Sequence, residues 1–257
     1  MILAIDIGNT NIVLGCMEEE EILFTARYST DRAKTEDEYA LMLMDMFKFH
    51  DIFPDQIEGA IISSVVPELK TVFQLAVKEV TGKHPLIVSA SLNTDLKIKI
   101  DNNNQLGSDL VVNAVAACAK YPKPIMIFDM GTATTLSVID AQGAYIGGMI
   151  IPGLRLSVDA LSAQTSQLPR ISLDPPEQLI GTNTINCMKA GAIYGSAAML
   201  DGVIDRVEEA LGGQPFSVIA TGGLISEVLP YCKRKIIYDS NLMLQGLHIL
   251  YEKNKNT

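Results

Sequence analysis

The stretch Ala4-Ile5-Asp6-Ile7-Gly8-Asn9-Thr10 (AIDIGNT) has a counterpart about half the chain later, Phe128-Asp129-Met130-Gly131-Thr132-Ala133-Thr134 (FDMGTAT). Each time an apolar run ends in an acid, one spacer, a glycine and a small polar cluster. The apolar runs, residues 2–7 and 125–130, read as buried strands because they hardly alternate. Each leads into a hairpin. Glycine at such a turn lets backbone amides approach an anion that a Cβ would hold off. Asn9, Thr10 and Asn11 add amide and hydroxyl donors. The acid cannot grip phosphate itself, because like charges repel, but it can hold a hydrated Mg²⁺ that bridges to phosphates. One such turn is common in ordinary hairpins. Two, each on the first strand of a half, point to a clamp for a triphosphate. A third glycine turn, Thr221-Gly222-Gly223 after the run 217–220, would let an adenine lie flat against backbone.

Working outward, residues 11–16 and 22–28 complete a hairpin around the acidic turn Glu18–Glu21. Thr35 and Glu38 form a capping box that starts a helix running to about Phe49. A strand over 59–66 precedes a helix opened by Pro67 and stopped by Gly82. A short strand follows at 86–89, then an irregular, amide-rich stretch over 93–106 and a helix over 109–120 capped by Ser108. The second half repeats the plan: strands at 125–130, 135–139 and 144–151, helices over 154–163 and 185–211, a strand at 217–220, and a last strand and helix over 235–238 and from Asn241. The pattern predicts an α/β protein made of two similar lobes, residues 1–120 and 121–257, facing one another across a nucleotide cleft.

With 48% apolar and 19% charged residues, the chain is a folded protein with real cores. Its net charge of −10 argues against nucleic acid or an anionic membrane as partner, but a nucleotide can still be held locally by amides and a divalent ion. Cys16, Cys118, Cys187 and Cys232 are far apart and read as reduced thiols. Met1 leads straight into a strand with no leader-like segment, and no apolar run reaches membrane-spanning length, so a cytoplasmic location is expected.

Taken with their order and spacing, DIGNTN at 6–11, TEDE at 35–38, SSVVP at 63–67, G-x-D at 107–109 with NAVAA at 113–117, DMGTATT at 129–135, GGMIIPG at 147–153, GTNT at 181–184 and TGG at 221–223 resemble the type III pantothenate kinases. These are similar to the acetate kinase–Hsp70–actin superfamily, which implies a duplicated actin-like, ribonuclease H-like fold. The resemblance implies ATP-dependent phosphorylation of the primary hydroxyl of pantothenate, the first step toward coenzyme A. It implies that Asp6, Ile7, Gly8, Asn9, Thr10, Asn11, Ile12 and Val13 cradle the ATP phosphates, with Asp6 near Mg²⁺. Gly131, Thr132, Gly222 and Gly223 would complete the nucleotide site, and Asp129 would help hold a monovalent cation, K⁺ or NH₄⁺. Asp109 would be the general base, with Gly107, Ser108, position 110 and Thr184 on the acceptor. A homodimer is implied as well. Read from the residues alone, Asp109 lies in the first turn of a helix, where the helix dipole favours the ionised carboxylate.

The acceptor motif departs from the family's usual G-x-D-R, since this chain has Leu110 where an arginine would pair with the substrate carboxylate. The stretch 100–106 lacks the aromatic residue and proline of relatives, and Lys189 is unusual for its position. Lys189 is expected as a surface lysine, with a compensating cation as the other reading. The changes collect on the acceptor side while the phosphate turns are intact. Three functions fit: a pantothenate kinase that tolerates Leu110, a kinase for another small alcohol, and a nucleotide-binding paralogue with little turnover.

Overall fold

The structure, a computed structural model, describes residues 1–256. The chain forms β1 (Ile2–Ile7), β2 (Asn11–Glu18), β3 (Glu21–Ser29), α1 (Glu36–Phe49), β4 (Gly59–Ser64), α2 (Pro67–Thr81) and β5 (Leu86–Ile87). It continues through β6 (Lys97–Ile98), α3 (Ser108–Lys120), β7 (Ile125–Met130), β8 (Ala133–Ile139), β9 (Ala144–Pro152) and α4 (Leu154–Gln164). It ends with α5 (Thr184–Ala210), β10 (Ser217–Thr221), α6 (Ile225–Val228), β11 (Ile237–Tyr238) and α7 (Leu242–Asn254).

The first sheet has the order β3-β2-β1-β4-β5, and the second contains β9-β8-β7-β10-β11 with β6 added at the β9 edge. In both, a three-stranded antiparallel meander is extended by parallel strands on the other side of its first strand. The order is the same in each half, which is the duplication that the repeated acid–glycine turn announces. β1 and β7 even share one burial sequence, four buried residues, a half-buried acid and a buried residue.

The helix signals act as the sequence proposes. Thr35 accepts from the Glu38 amide at 3.4 Å while Glu38 Oε2 accepts from the Thr35 amide at 2.9 Å, closing the capping box of α1. Gly82 ends α2 with φ of 70°, a left-handed conformation that glycine takes without cost. No sequence pattern marks β6. Its two residues pair in parallel with Ala144 and Tyr145 inside a stretch that reads as irregular.

The chain divides into two compact units, Met1–Leu96 with Asp101–Ala119 and Asn241–Thr257, and Lys97–Ile100 with Lys120–Ser240. The split at 119/120 adjoins the expected boundary, but the C-terminal helix belongs with the first unit. The reason is apolar burial: Leu244, Leu247, Leu250 and Tyr251 of α7 pack with Ile2 and Ala4 of β1, Ile61 of β4 and Val112 and Val115 of α3. The opposite face of that sheet is covered by α1 and α2, whose Leu43, Phe47, Leu69 and Phe73 meet Leu3, Ile5 and Ile7. In the second unit Met126, Phe128 and Met130 of β7 pack with residues of α4, α5 and α6.

Candidate active site

Asp6 shares its strand face with Ala4, the face covered by α3 and α7, and is paired in register with Val13 on one side and Ser63 on the other. Asp129 takes the corresponding place in β7, flanked by Thr135 and Thr221. Both acids are half-buried at the end of a strand. After each comes a tight turn closed by a glycine amide: Gly8 N–H donates to Asn11 O at 3.0 Å, and Gly131 N–H donates to Ala133 O at 3.1 Å. Neither glycine has a left-handed φ, so backbone conformation does not demand glycine at either position. At Gly8 a Cβ would crowd the Asn11 carbonyl at 3.0 Å, whereas at Gly131 nothing lies closer than 3.6 Å and access for a ligand to the exposed tip at Thr132 is the remaining physical reason. Among the cradle residues, Ile7 and Ile12 are fully buried in the core and can offer a ligand only their backbone.

The second turn rests on two more glycines. A Cβ on Gly153, the N-cap of α4, would collide with the Thr132 carbonyl. Gly222 has φ of 100°, and a Cβ there would lie 2.7 Å from the backbone N, C and O of Met130. The TGG turn is therefore packed directly against the strand that carries Asp129. A Gly222→Ala variant should lose about 2–4 kcal/mol of unfolding free energy, combining the left-handed conformation with overpacking. Urea titration checks this, and an unchanged midpoint would show that the Gly222 turn is not packed tightly against β7.

In the first unit, Asp109 is placed by the residues around it. Ser108 opens α3, but its hydroxyl does not cap the helix as the sequence suggests. It lies 3.1 Å from the hydroxyl of fully buried Ser63 and donates to Ser64 O at 3.2 Å. The start of α3 is thus pinned to the end of β4, one strand over from Asp6. A Cβ on Gly107 would meet Asp109 Oδ1, so glycine there leaves the carboxylate room to keep this position. That oxygen accepts from the Leu110 amide at 2.9 Å. Burial pushes the Asp109 carboxyl above its ordinary range, outweighing the backbone N–H groups of Leu110 and Asp109 that pull it down. The helix-dipole argument points the other way, and desolvation overrides it.

Leu110 follows on the first turn of α3, half-buried, and supplies no charge. Lys189 does not take over that role as a free cation. Its side chain is only 18% exposed and its Nζ lies 3.1 Å from Asp174 Oδ2, so it is neither a surface lysine nor uncommitted. Asp174 is held below the usual carboxylate range by the Ser172 hydroxyl and by Lys189.

Thr184 is the first residue of α5, behind Asn183, whose side chain caps the helix by accepting from the Asn186 amide at 2.9 Å. It opens onto a cavity of about 920 Å³ within the second unit. The cavity wall is mostly apolar, with Leu154, Val158 and Met188, and also includes Thr134 and Pro152, close in sequence to Thr132 and Gly153. Sequence reading missed this cavity, since no periodic pattern marks the meeting of a strand end with two helices.

One residue beside the first turn carries no sequence signal. Arg32 Nη2 donates to Asn9 Oδ1 at 2.9 Å. Arg32 belongs to a segment, 30–34, that carries no motif of its own.

A family model described as type III pantothenate kinase matches residues 2–206. A type III pantothenate kinase from Geobacter sulfurreducens is 42% identical over 255 residues, covering 99% of this chain and all of that protein. One from Exiguobacterium sibiricum is 41% identical over 255 residues, with the same coverage. Among solved structures, the activator of the 2-hydroxyisocaproyl-CoA dehydratase from Clostridium difficile with bound ADPNP superposes with a TM-score of 0.57 at 13% identity, covering the whole of this chain and 97% of the other. That likeness concerns the fold, and it agrees with the actin-like duplication seen in the two sheets. Matching along nearly its full length at this level of identity, the chain belongs to the type III pantothenate kinase family.

Proposed function

We propose that this protein transfers the γ-phosphoryl group of ATP to the primary hydroxyl of pantothenate. The observation that carries the reading is the placement of Asp109: Ser108 and Ser63 pin it one strand away from Asp6, in a family whose members carry this activity in their name.

The donor set suits the ions this chemistry uses. Mg²⁺ takes one or two carboxylates and fills its octahedron with water and phosphate oxygens, so a single Asp6 at the end of β1 is enough. When bound, the metal neutralises phosphate charge. The amides and side chains of the 8–11 turn hold the phosphates. Gly131, Thr132, Gly222 and Gly223 serve the nucleotide, and the Asp129 carboxylate offers an oxygen to K⁺ or NH₄⁺. In the transfer step the acceptor hydroxyl oxygen bonds to the γ-phosphorus, the bond to the β–γ bridging oxygen breaks, and ADP leaves. The hydroxyl proton passes to Asp109. A carboxylate whose proton affinity is raised by burial is a better base for this than an exposed one, provided that it is ionised. Position 110 and Thr184 are assigned to the acceptor, as in the family motif. The working form is a homodimer in the cytoplasm. Among the described residues no helix is long and apolar enough to cross a membrane.

The direct test is ADP release with ATP, Mg²⁺ and K⁺, with and without pantothenate. Pantothenate should stimulate release strongly; a rate no higher than that with ATP alone would refute the proposal. Asp6→Asn should weaken Mg²⁺·ATP binding on the order of tenfold, equal to about 1.4 kcal/mol, while adenosine binding is kept. Calorimetry that finds normal Mg²⁺·ATP affinity in this variant would remove Asp6 from the metal.

A further inference from the structure

We infer that Arg32 is a phosphate-binding residue of the first turn, placed to meet the terminal phosphates of the nucleotide. The inference deepens the nucleotide reading above and rests on it.

The segment carrying Arg32 is fastened on both sides. Thr30 donates its amide to Thr10 O at 2.9 Å and its hydroxyl to Gly8 O at 2.7 Å, so residue 30 is bonded to both ends of the turn tip. Asp31 is bonded to the fully buried Tyr39: its amide reaches the phenol oxygen at 3.3 Å, and the phenol donates to Asp31 O at 2.7 Å. The backbone of Arg32 is therefore anchored between the phosphate turn and the core of α1. Its guanidinium makes one bond to Asn9 Oδ1 at 2.9 Å and a loose pair with Glu68 at 4.0 Å, and its side chain stays 55% exposed. Five N–H donors in a planar fork suit a phosphate, and this pairing occupies few of them.

Charge makes the same demand. The acids beside the turn are Asp6, just before it on β1, and Asp31, next to the Thr30 that is bonded to Gly8 and Thr10, and the partner facing Arg32 is Glu68. A polyphosphate seated among carboxylates needs more than one metal ion to offset the repulsion. Arg32 is a cation bonded to the turn itself. Phosphate would draw the guanidinium from Glu68 while the Asn9 contact sets its direction.

The competing possibility is that Arg32 only braces Asn9. Three variants separate the two: Arg32→Ala removes everything, Arg32→Gln keeps a donor for Asn9 without the charge, and Arg32→Lys keeps the charge without the fork. Each is titrated calorimetrically with Mg²⁺·ATP and with adenosine, at low and at moderate salt. Arg32→Ala and Arg32→Gln should both lose about tenfold in affinity for Mg²⁺·ATP, with adenosine unaffected and the salt dependence reduced, and Arg32→Lys should lie between. Wild-type affinity in Arg32→Gln, or equal losses for adenosine and ATP, would overturn the assignment. Since the side chain is on the surface, thermal midpoints without nucleotide should match. Pantothenate-dependent ADP release is measured in parallel on the wild-type protein. Its absence would defeat the acceptor assignment and leave the nucleotide titrations to decide Arg32.

Discussion

Asp109→Asn should lower pantothenate-dependent turnover by roughly a hundred- to ten-thousandfold, the range lost when a positioned general base is removed. Mg²⁺·ATP affinity should hold, because the change lies at the start of α3 and spares both glycine turns. Stability should move in the opposite direction from activity. Burial raises the Asp109 carboxyl in the folded protein, so the native state binds that proton more readily than the unfolded chain. Its contribution to stability is full below the unfolded value and is lost as pH rises through the folded one. At neutral pH the buried charge is a cost to the fold, and asparagine removes the charge while keeping the shape. The thermal midpoint of Asp109→Asn should therefore be equal to or higher than that of the wild type at pH 7, and the difference should vanish in acid. The same shift places the acid limb of the wild-type kcat/KM profile above that expected for an exposed aspartate. Undiminished turnover in the variant would take Asp109 out of the catalytic step, and a large drop in midpoint would mean that its carboxylate is a structural anchor.

Leu110→Arg should improve the use of pantothenate on the order of ten- to a hundredfold in kcat/KM, mostly through KM. A charge-assisted hydrogen bond to a carboxylate contributes about 1.5–3 kcal/mol, and this chain has no cation at that position. Lys189 is already paired with Asp174 and cannot readily substitute. Pantothenol, the alcohol that lacks the carboxylate, is the control. Wild-type protein should discriminate weakly between the two, and Leu110→Arg should favour pantothenate alone. Equal gains on both acceptors, or none on either, would mean that the acceptor pocket meets the carboxylate in another way and that position 110 is not where specificity is set.

Where the sequence was readable, a local chemical constraint wrote it. The two acid–glycine turns mark the first strand of the antiparallel meander in each sheet, and the Thr35 capping box and the Gly82 stop bound their helices. What could not be read depends on partners distant in the chain. β6 is too short for any period to show, and exists because Lys97 and Ile98 find the open edge of β9. The Ser63–Ser108 contact joins residues 45 positions apart, and two serines carry no signal of a shared hydrogen bond. Arg32 reads as one charge in a polar loop until Thr30 is seen tied to Gly8 and Thr10. For Asp109 the local rule was correct but incomplete, since a helix dipole is a weak field beside the loss of water around a carboxylate.

The attachment of α7 to the first unit bears on how this protein is made. Synthesis proceeds from the N-terminus, yet β1 and β4 need Leu244, Leu247 and Tyr251 to cover one of their faces. Gly59 leaves space for the Tyr251 hydroxyl, and Gly246 lets α7 lie against the Val112 carbonyl. That apolar sheet face, which α3 covers only in part, therefore stays incompletely covered until α7 has been synthesised. Removing α7 would thus expose apolar surface on β1 and β4, strands more than 170 residues away in sequence.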